Sequence, residues 1–324
     1  MKSFVLCIIL AVSVFGPIES TLQAQTYPGR PIQLIIPNVP GSIMDINSRT
    51  LAEELGKILG TQIVSINKPG AGTLVGTEAV AKGKKDGYTL GYLSGGALVY
   101  SRILNPETVH FDVDKDLEPL GLHLIIPMAL AVQADSPWKT FNDLVDYAKK
   151  NPGKLRVDTM GIGTASHFNL EIIQSLTGAQ FTHVPFKGGE SVITALLGGH
   201  VEMTFDAMNK MAPHVESGKL RVLLLTNKMA EFPHIPTITE LGYKKDLIPS
   251  WFAMYAPGGL PEDVIKLLVP AVEKTIRNPE LKARTEKMYF VVDYRSPAQL
   301  KKMVTEEYEQ AVVIANGIGL RKKN

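Results

Sequence analysis

The sequence predicts an α/β fold in two lobes, each a parallel or mixed sheet flanked by helices. Three observations carry this. A chain of 324 residues exceeds the roughly 100–200 of one ordinary domain. Short apolar runs alternate with amphipathic helical patterns in two successive series, the arrangement that builds parallel sheets through crossover helices. Neither a low-complexity linker nor a tandem repeat separates the series, so strands themselves must cross from one lobe to the other.

The elements follow in order. Residues 1–24 read as a secretory signal: Lys2 precedes an apolar stretch from Phe4 to Phe15, Gly16-Pro17 breaks it, and small residues lead to Leu22-Gln23-Ala24. That core is too short to span a bilayer comfortably. Ile32–Ile36, closed by Pro37, is a buried strand. Ile46, Leu51, Leu55, Ile58 and Leu59 mark one face of a helix over residues 45–59, stopped by Gly60. Gln62–Ile66 is a strand, Thr77–Lys82 a helix, and Tyr88–Leu93 a strand entered through Asp86-Gly87. The second series runs as strand Leu124–Val132, helix Thr140–Lys150, strand Leu155–Thr159 and a helix carrying Phe168 to Leu176. Strands Thr182–Val184 and Met203–Phe205 follow, around helix Ser191–Leu197, and then strand Leu220–Leu225. Trp251–Ala256 is a last strand, and Pro261–Arg277 and Pro297–Ala315 are C-terminal helices. The expected division is residues 25–123 plus 251–324 for the first lobe and 124–250 for the second.

Composition narrows the function. Lys plus Arg (34) balances Asp plus Glu (32), for a formal net charge of +2, which leaves no polybasic footprint for nucleic acid. The one cysteine, Cys7, lies in the signal, so a disulfide framework and multi-cysteine metal sites are excluded. The mature chain is expected to be soluble outside the cytoplasmic membrane.

In open α/β sheets ligands sit beyond the carboxyl ends of the strands, and lobe junctions favour pockets. Three loops are candidates. Pro37–Asp45 leads from the first strand into the first long helix; Gly41 permits close backbone approach, and Ser42 with Asp45 has capping-box spacing. Its helix start offers N–H groups to an anion, while the plainer reading is a cap alone. Met160–His167 repeats this chemistry in the second lobe, with Gly161, Gly163, Thr164, Ala165 and Ser166. Two such loops in corresponding places suggest a cleft holding an anion from both sides. Gly70–Gly76 has the outline of a dinucleotide fingerprint, but no acidic ribose partner follows, and a lone glycine pattern is weak.

Catalytic readings fare worse. Ser166, His167 and Asp206 are the residue types of a hydrolase triad, but no G-x-S-x-G elbow accompanies them. His123, His167, His183, His200 and His214 lack zinc-binding spacing. His167 reads as a hydrogen-bonding loop residue. Asp206 reads either as a helix cap or as a ligand-facing group.

These motifs occur together in one family. The stretch from Tyr27 to Leu320 resembles the Bug-type extracytoplasmic solute-binding receptors of tripartite tricarboxylate transporters. The resemblance rests on Tyr27–Ile32, the Pro40-Gly41 loop with Asp45, Asn67–Gly72, Asp86–Leu90, Gly163–His167, His183–Gly188, Leu196–Gly199 and Phe205-Asp206. It implies a two-lobed, type II-like periplasmic binding protein that closes on a small carboxylate (a di- or tricarboxylate, an aromatic acid or similar) and delivers it to membrane permease subunits. It further implies a monomer, no cofactor, no metal and no enzymatic activity. Carried over by motif, the ligand-binding set is Pro40, Gly41, Ser42, Asp45, Ser94, Gly95, Gly163, Thr164, Ala165, Ser166, His167 and Asp206. Asn38, Val39, Ser42 and Phe186 depart from the family pattern, which bears on ligand identity. No arginine lies in the loops, so backbone N–H and hydroxyl donors are expected to hold the carboxylate. The competing classes are an exported esterase acting through Ser166 or His167, and a receptor presenting its ligand to a sensor kinase.

Overall fold

The computed structural model describes residues 27–186 and 190–320. The expected signal lies outside them, as does part of the His183–Gly188 motif. No described helix is long and apolar enough to cross a membrane.

The chain builds two mixed sheets with helices packed on them. The first series runs β1 (Ile32–Ile36), α1 (Ile43–Leu59), β2 (Ile63–Asn67), α2 (Leu74–Ala81), β3 (Thr89–Ser94), α3 (Ser101–Leu104), α4 (Val113–Asp116) and β4 (Leu117–Ile126). The second runs β5 (Met128–Gln133), α5 (Phe141–Lys150), β6 (Arg156–Thr159), α6 (Ala165–Thr177), β7 (Thr182–Pro185), α7 (Glu190–Leu197), β8 (Met203–Ala207), α8 (Met208–Glu216) and β9 (Leu220–Leu225). The chain then returns through β10 (Ser250–Pro257), α9 (Glu262–Ile276), α10 (Pro279–Glu286), β11 (Val291–Arg295) and α11 (Pro297–Gly317).

Sheet order is β11-β4-β10-β3-β1-β2 in the first lobe and β7-β6-β8-β5-β9 in the second. β1 runs parallel to β2 and β3, and β10 is antiparallel to β3. Likewise β6 runs parallel to β7 and β8, and β5 is antiparallel to β8. β1 and β6 are therefore equivalent strands, as are β3 and β8, and their carboxyl ends carry equivalent loops.

One expected strand is two. Leu124–Ile126 pairs with Ser250–Phe252 in the first sheet, whereas Met128–Val132 pairs with Met203–Ala207 in the second. Pro127 between them has no N–H to give a ladder, and the chain changes sheets there. The first sheet thus continues to Ile126. The return crossing is the segment between β9 and β10. There Asn169 of α6 is wholly buried and clamps Ile248, its Nδ2 donating to Ile248 O and its Oδ1 accepting from Ile248 N, both at 2.7 Å.

Packing joins the lobes. Tyr100, just before α3, stacks on Phe168 of α6 with ring centroids 5.1 Å apart. Tyr100 also donates to the buried carboxyl of Glu307 on α11 at 2.8 Å, and Trp251 Nε1 donates to the other oxygen at 2.7 Å. Burial pushes that carboxyl up to about 7.

Candidate functional site

The loops after β1 and β6 share one construction. Gly41 and Gly163 adopt φ +79° and +77°, the left-handed conformation that glycine takes without a Cβ penalty. Each is followed by a hydroxyl N-cap. Ser42 Oγ accepts from Asp45 N at 3.2 Å, and Thr164 Oγ1 accepts from His167 N at 3.4 Å. The glycine amide then bonds the side chain four residues on: Gly41 N donates to Asp45 Oδ2 at 2.9 Å, and Gly163 N donates to His167 Nδ1 at 3.1 Å. The pattern Gly-Ser/Thr-x-x-Asp/His is thus built twice, once in each lobe, at the carboxyl ends of equivalent strands.

This construction reassigns the donors. The amides of Gly41 and Gly163 serve their own loops, and those of Ser42 and Thr164 turn to Val39 O and Gly161 O. The next amides, of Ile43 and Met44 at α1 and of Ala165 and Ser166 at α6, are the first in their helices and have no intrahelical acceptor. Amides so placed at a helix start are donors of the kind that suits an anion. Pro40 and Gly41 are exposed, and Ser42 is half-buried.

Asp45 and His167 are organisers. Asp45 is 5% exposed; its Oδ1 accepts from Arg49 Nε at 2.8 Å and from Asn67 Nδ2 at 2.9 Å. Against its burial, the bonds from Gly41, Asn67 and Arg49 hold the carboxyl below the usual range. Arg49 and Asn67 were not among the expected site residues. Their signals are an arginine four residues after Asp45 and an asparagine ending the neighbouring strand. His167 stacks on His183 with centroids 4.3 Å apart. Burial, reinforced by His183, pushes it down to about 4, so the ring is neutral with Nδ1 as acceptor. Its Nε2 lies 3.7 Å from Glu171. Ser166 is wholly buried, its Oγ accepting from Met160 N at 3.3 Å and sharing a bond with Thr164 Oγ1 at 2.9 Å. The hydroxyl and the imidazole are each committed to holding the loop.

A family model for the tripartite tricarboxylate transporter family receptor matches residues 47–320. The chain belongs to this receptor family. It is 34% identical over 302 residues to a Cupriavidus necator protein described as the UPF0065 protein in the gbd 5′ region, covering 93% of this chain and 91% of that one. A TctC solute-binding protein from Polaromonas superposes with TM-score 0.80 at 26% identity, over 90% of this chain and 100% of that one. R. palustris Rpa4515 with adipate superposes with TM-score 0.76 at 26% identity, over 90% and 98%. The two-lobed architecture is the one these receptors share.

The loops after β3 and β8 leave the carboxyl ends of the other pair of equivalent strands. Ser94 ends β3 and is 8% exposed. Gly95 behind it is tightly enclosed, since a Cβ there would lie 3.1 Å from Glu307 Oε1 and 3.3 Å from Trp251 Nε1. Thr73 Oγ1 is buried without a hydrogen-bond partner and faces the same turn, 3.4 Å from where a Cβ on Gly96 would stand. The Gly70–Gly76 stretch is explained by packing. A Cβ on Gly76 would come within 2.7 Å of Pro37 Cα, so this glycine seats α2 against the first loop.

Asp206 was expected either as a helix cap or as a ligand-facing group. It is wholly buried, its Oδ1 accepts from Ala207 N at 2.6 Å, and Lys210 Nζ spans both oxygens at 3.0 and 3.2 Å. The ammonium of Lys210 is partly exposed and lies 3.9 Å from Met160 Sδ at the start of the second-lobe loop. The i, i+4 spacing from Asp206 was the available signal. Asp158, on the adjacent strand, is wholly buried beside Thr204. Burial pushes it up to about 7, with the charge of Asp206 adding to the rise. Among the described residues, no group of three or more His, Cys, Asp or Glu side chains gathers as a metal would require.

Proposed function

We propose that this receptor binds a small carboxylate in the cleft between its lobes and delivers it, unchanged, from the periplasm to the membrane subunits of a tripartite tricarboxylate transporter. The observation that carries this reading is the doubled glycine–hydroxyl cap. It leaves two adjacent amides at the first turn of α1 and two at that of α6, at equivalent places in the two lobes. Each hydrogen bond to a charged group is worth roughly 1.5–3 kcal/mol net, and a helix start adds about 0.3–1. Four such donors, less the cost of immobilising the ligand, reach the roughly −8 kcal/mol of micromolar binding. Because the donors come from both lobes, the ligand favours the closed state by its differential affinity. The adipate carried by the R. palustris relative supports the ligand class. The burial of Ser166 and the commitment of His167 Nδ1 to Gly163 speak against an esterase.

The test is calorimetry with small-angle scattering against mono-, di- and tricarboxylates, followed by mass spectrometry of the recovered acid. Heat, compaction and an intact ligand are expected. No heat and no compaction with any acid would refute the proposal.

A further inference from the structure

We infer that Tyr289, on the turn between α10 and β11, straps the first lobe to the second and so sets how readily the receptor opens. The inference concerns the balance of the lobes and is independent of which solute they close on. The turn is rooted in the first lobe: Phe290 is 3% exposed, and Val291 after it pairs with Ile125 of β4. Tyr289 reaches the second lobe instead. Its ring lies 5.9 Å from that of Phe232 and packs against the buried cluster that includes Met208, Met211 and Ile235. Its hydroxyl donates to Glu216 at the end of α8. The lobes are together in this structure, since a Cβ on Gly163 of the second lobe would lie 2.0 Å from Leu104 Cδ1 of the first.

The backbone and the lever arm both bear on this contact. Tyr289 N donates to Glu286 O at 2.9 Å just past α10, and its φ is +61°. A helix ending of this kind ordinarily takes glycine, which meets no Cβ penalty there. A bulky residue is strained in that conformation, and what sets tyrosine apart from glycine is the side chain that crosses to the second lobe. The far partner stands well away from the crossing between the lobes. α8 begins at that crossing, with Met208 N donating to Pro127 O at 2.8 Å. At about 1.5 Å of rise per residue, Glu216 lies about 12 Å further along the helix. A rigid-body rotation of about 15° at the crossing, transverse to α8, carries it roughly 3 Å, more than a hydrogen bond tolerates. Opening therefore breaks the bond between Tyr289 and Glu216.

The test is small-angle scattering of the signal-free chain with no acid added, beside urea unfolding of the same variants. Tyr289→Phe removes a hydrogen bond to a charged acceptor and should shift the balance about tenfold toward the open state, read as a larger radius of gyration. Glu216→Ala should give the same increase, and the double variant no more than either, because both remove one bond. Tyr289→Gly and Tyr289→Ala should open the receptor equally, with the glycine variant the more stable in urea because it relieves the left-handed turn. Scattering that matches the parent in every variant overturns the inference. Opening that merely follows the loss of urea stability, greater in Tyr289→Ala than in Tyr289→Gly, overturns it as well. Opening of these variants in a protein that binds no acid of the wider panel upholds the strap and removes the carboxylate reading alone.

Discussion

Acidification should unlock the second-lobe loop through His167. Its folded-state value of about 4 lies below the ordinary 6.5, so the unfolded chain takes up the proton first. The stability held by the neutral ring is fully present above about pH 6.5 and is lost as pH falls toward 4. At about 1.4 kcal/mol per tenfold change, that separation sets a ceiling of about 3 kcal/mol, of which about 2 is lost by pH 5. The cause is geometric: protonated Nδ1 cannot accept the Gly163 amide, and the charge would stand against His183. Glu171 near Nε2 works in the opposite sense, but burial pushes its own carboxyl up. Asp158 and Glu307, both pushed up to about 7, strengthen the fold on acidification, so the raw pH profile mixes opposing contributions. His167→Asn isolates the effect, because it keeps an acceptor for Gly163 without a titrating group. Urea unfolding of both proteins at pH 7 and pH 5 should show the parent losing about 2 kcal/mol more than the variant. Parallel losses would refute the assignment of a neutral, loop-holding imidazole.

Two further outcomes follow from the loop geometry. Asp45→Ala strands the Gly41 amide and the partners Arg49 and Asn67, and should cost about 1–3 kcal/mol in urea unfolding, with Asp45→Asn costing less; an unchanged midpoint in the alanine variant would contradict the organising role. Gly163→Ala places a Cβ about 2.0 Å from Leu104 Cδ1 of the first lobe, at φ +77°; it should weaken carboxylate binding more than about tenfold if closure needs that contact, and adding Leu104→Ala should restore part of the loss by calorimetry.

Much of the fold was legible because burial leaves a mark on composition. Ile32–Ile36 is apolar because parallel neighbours cover both its edges and helices cover its faces, and the expected helices after it fall close to those observed. What periodicity could not reveal was partnership. Leu124–Val132 is one continuous apolar run, yet Pro127 divides it between two sheets, and a missing N–H matters only once one knows which ladder it would have joined. β11 escaped notice for a related reason: Val291–Arg295 is a half-buried edge strand whose register with β4 shifts after Val292, so neither alternation nor full burial marks it.

The site was legible to the level of the loop and no further, and the two copies of the cap explain why. Ser42 with Asp45 and Thr164 with His167 stand three residues apart, which sequence displays and capping chemistry explains. The destination of the glycine amide is set by φ, because only the left-handed turn aims Gly41 N–H and Gly163 N–H back at the side chain four residues on. A residue that looks like a ligand contact in sequence is then the residue that closes the loop, and the backbone amides left without a partner in their helices are those one or two positions along the chain, of Ile43 and Met44, Ala165 and Ser166. Asp206, near the end of β8, obeys the same logic, its carboxylate bonded to Ala207 N and Lys210. What the two lobes have in common is therefore a backbone device, indifferent to whether Asp45 or His167 closes it.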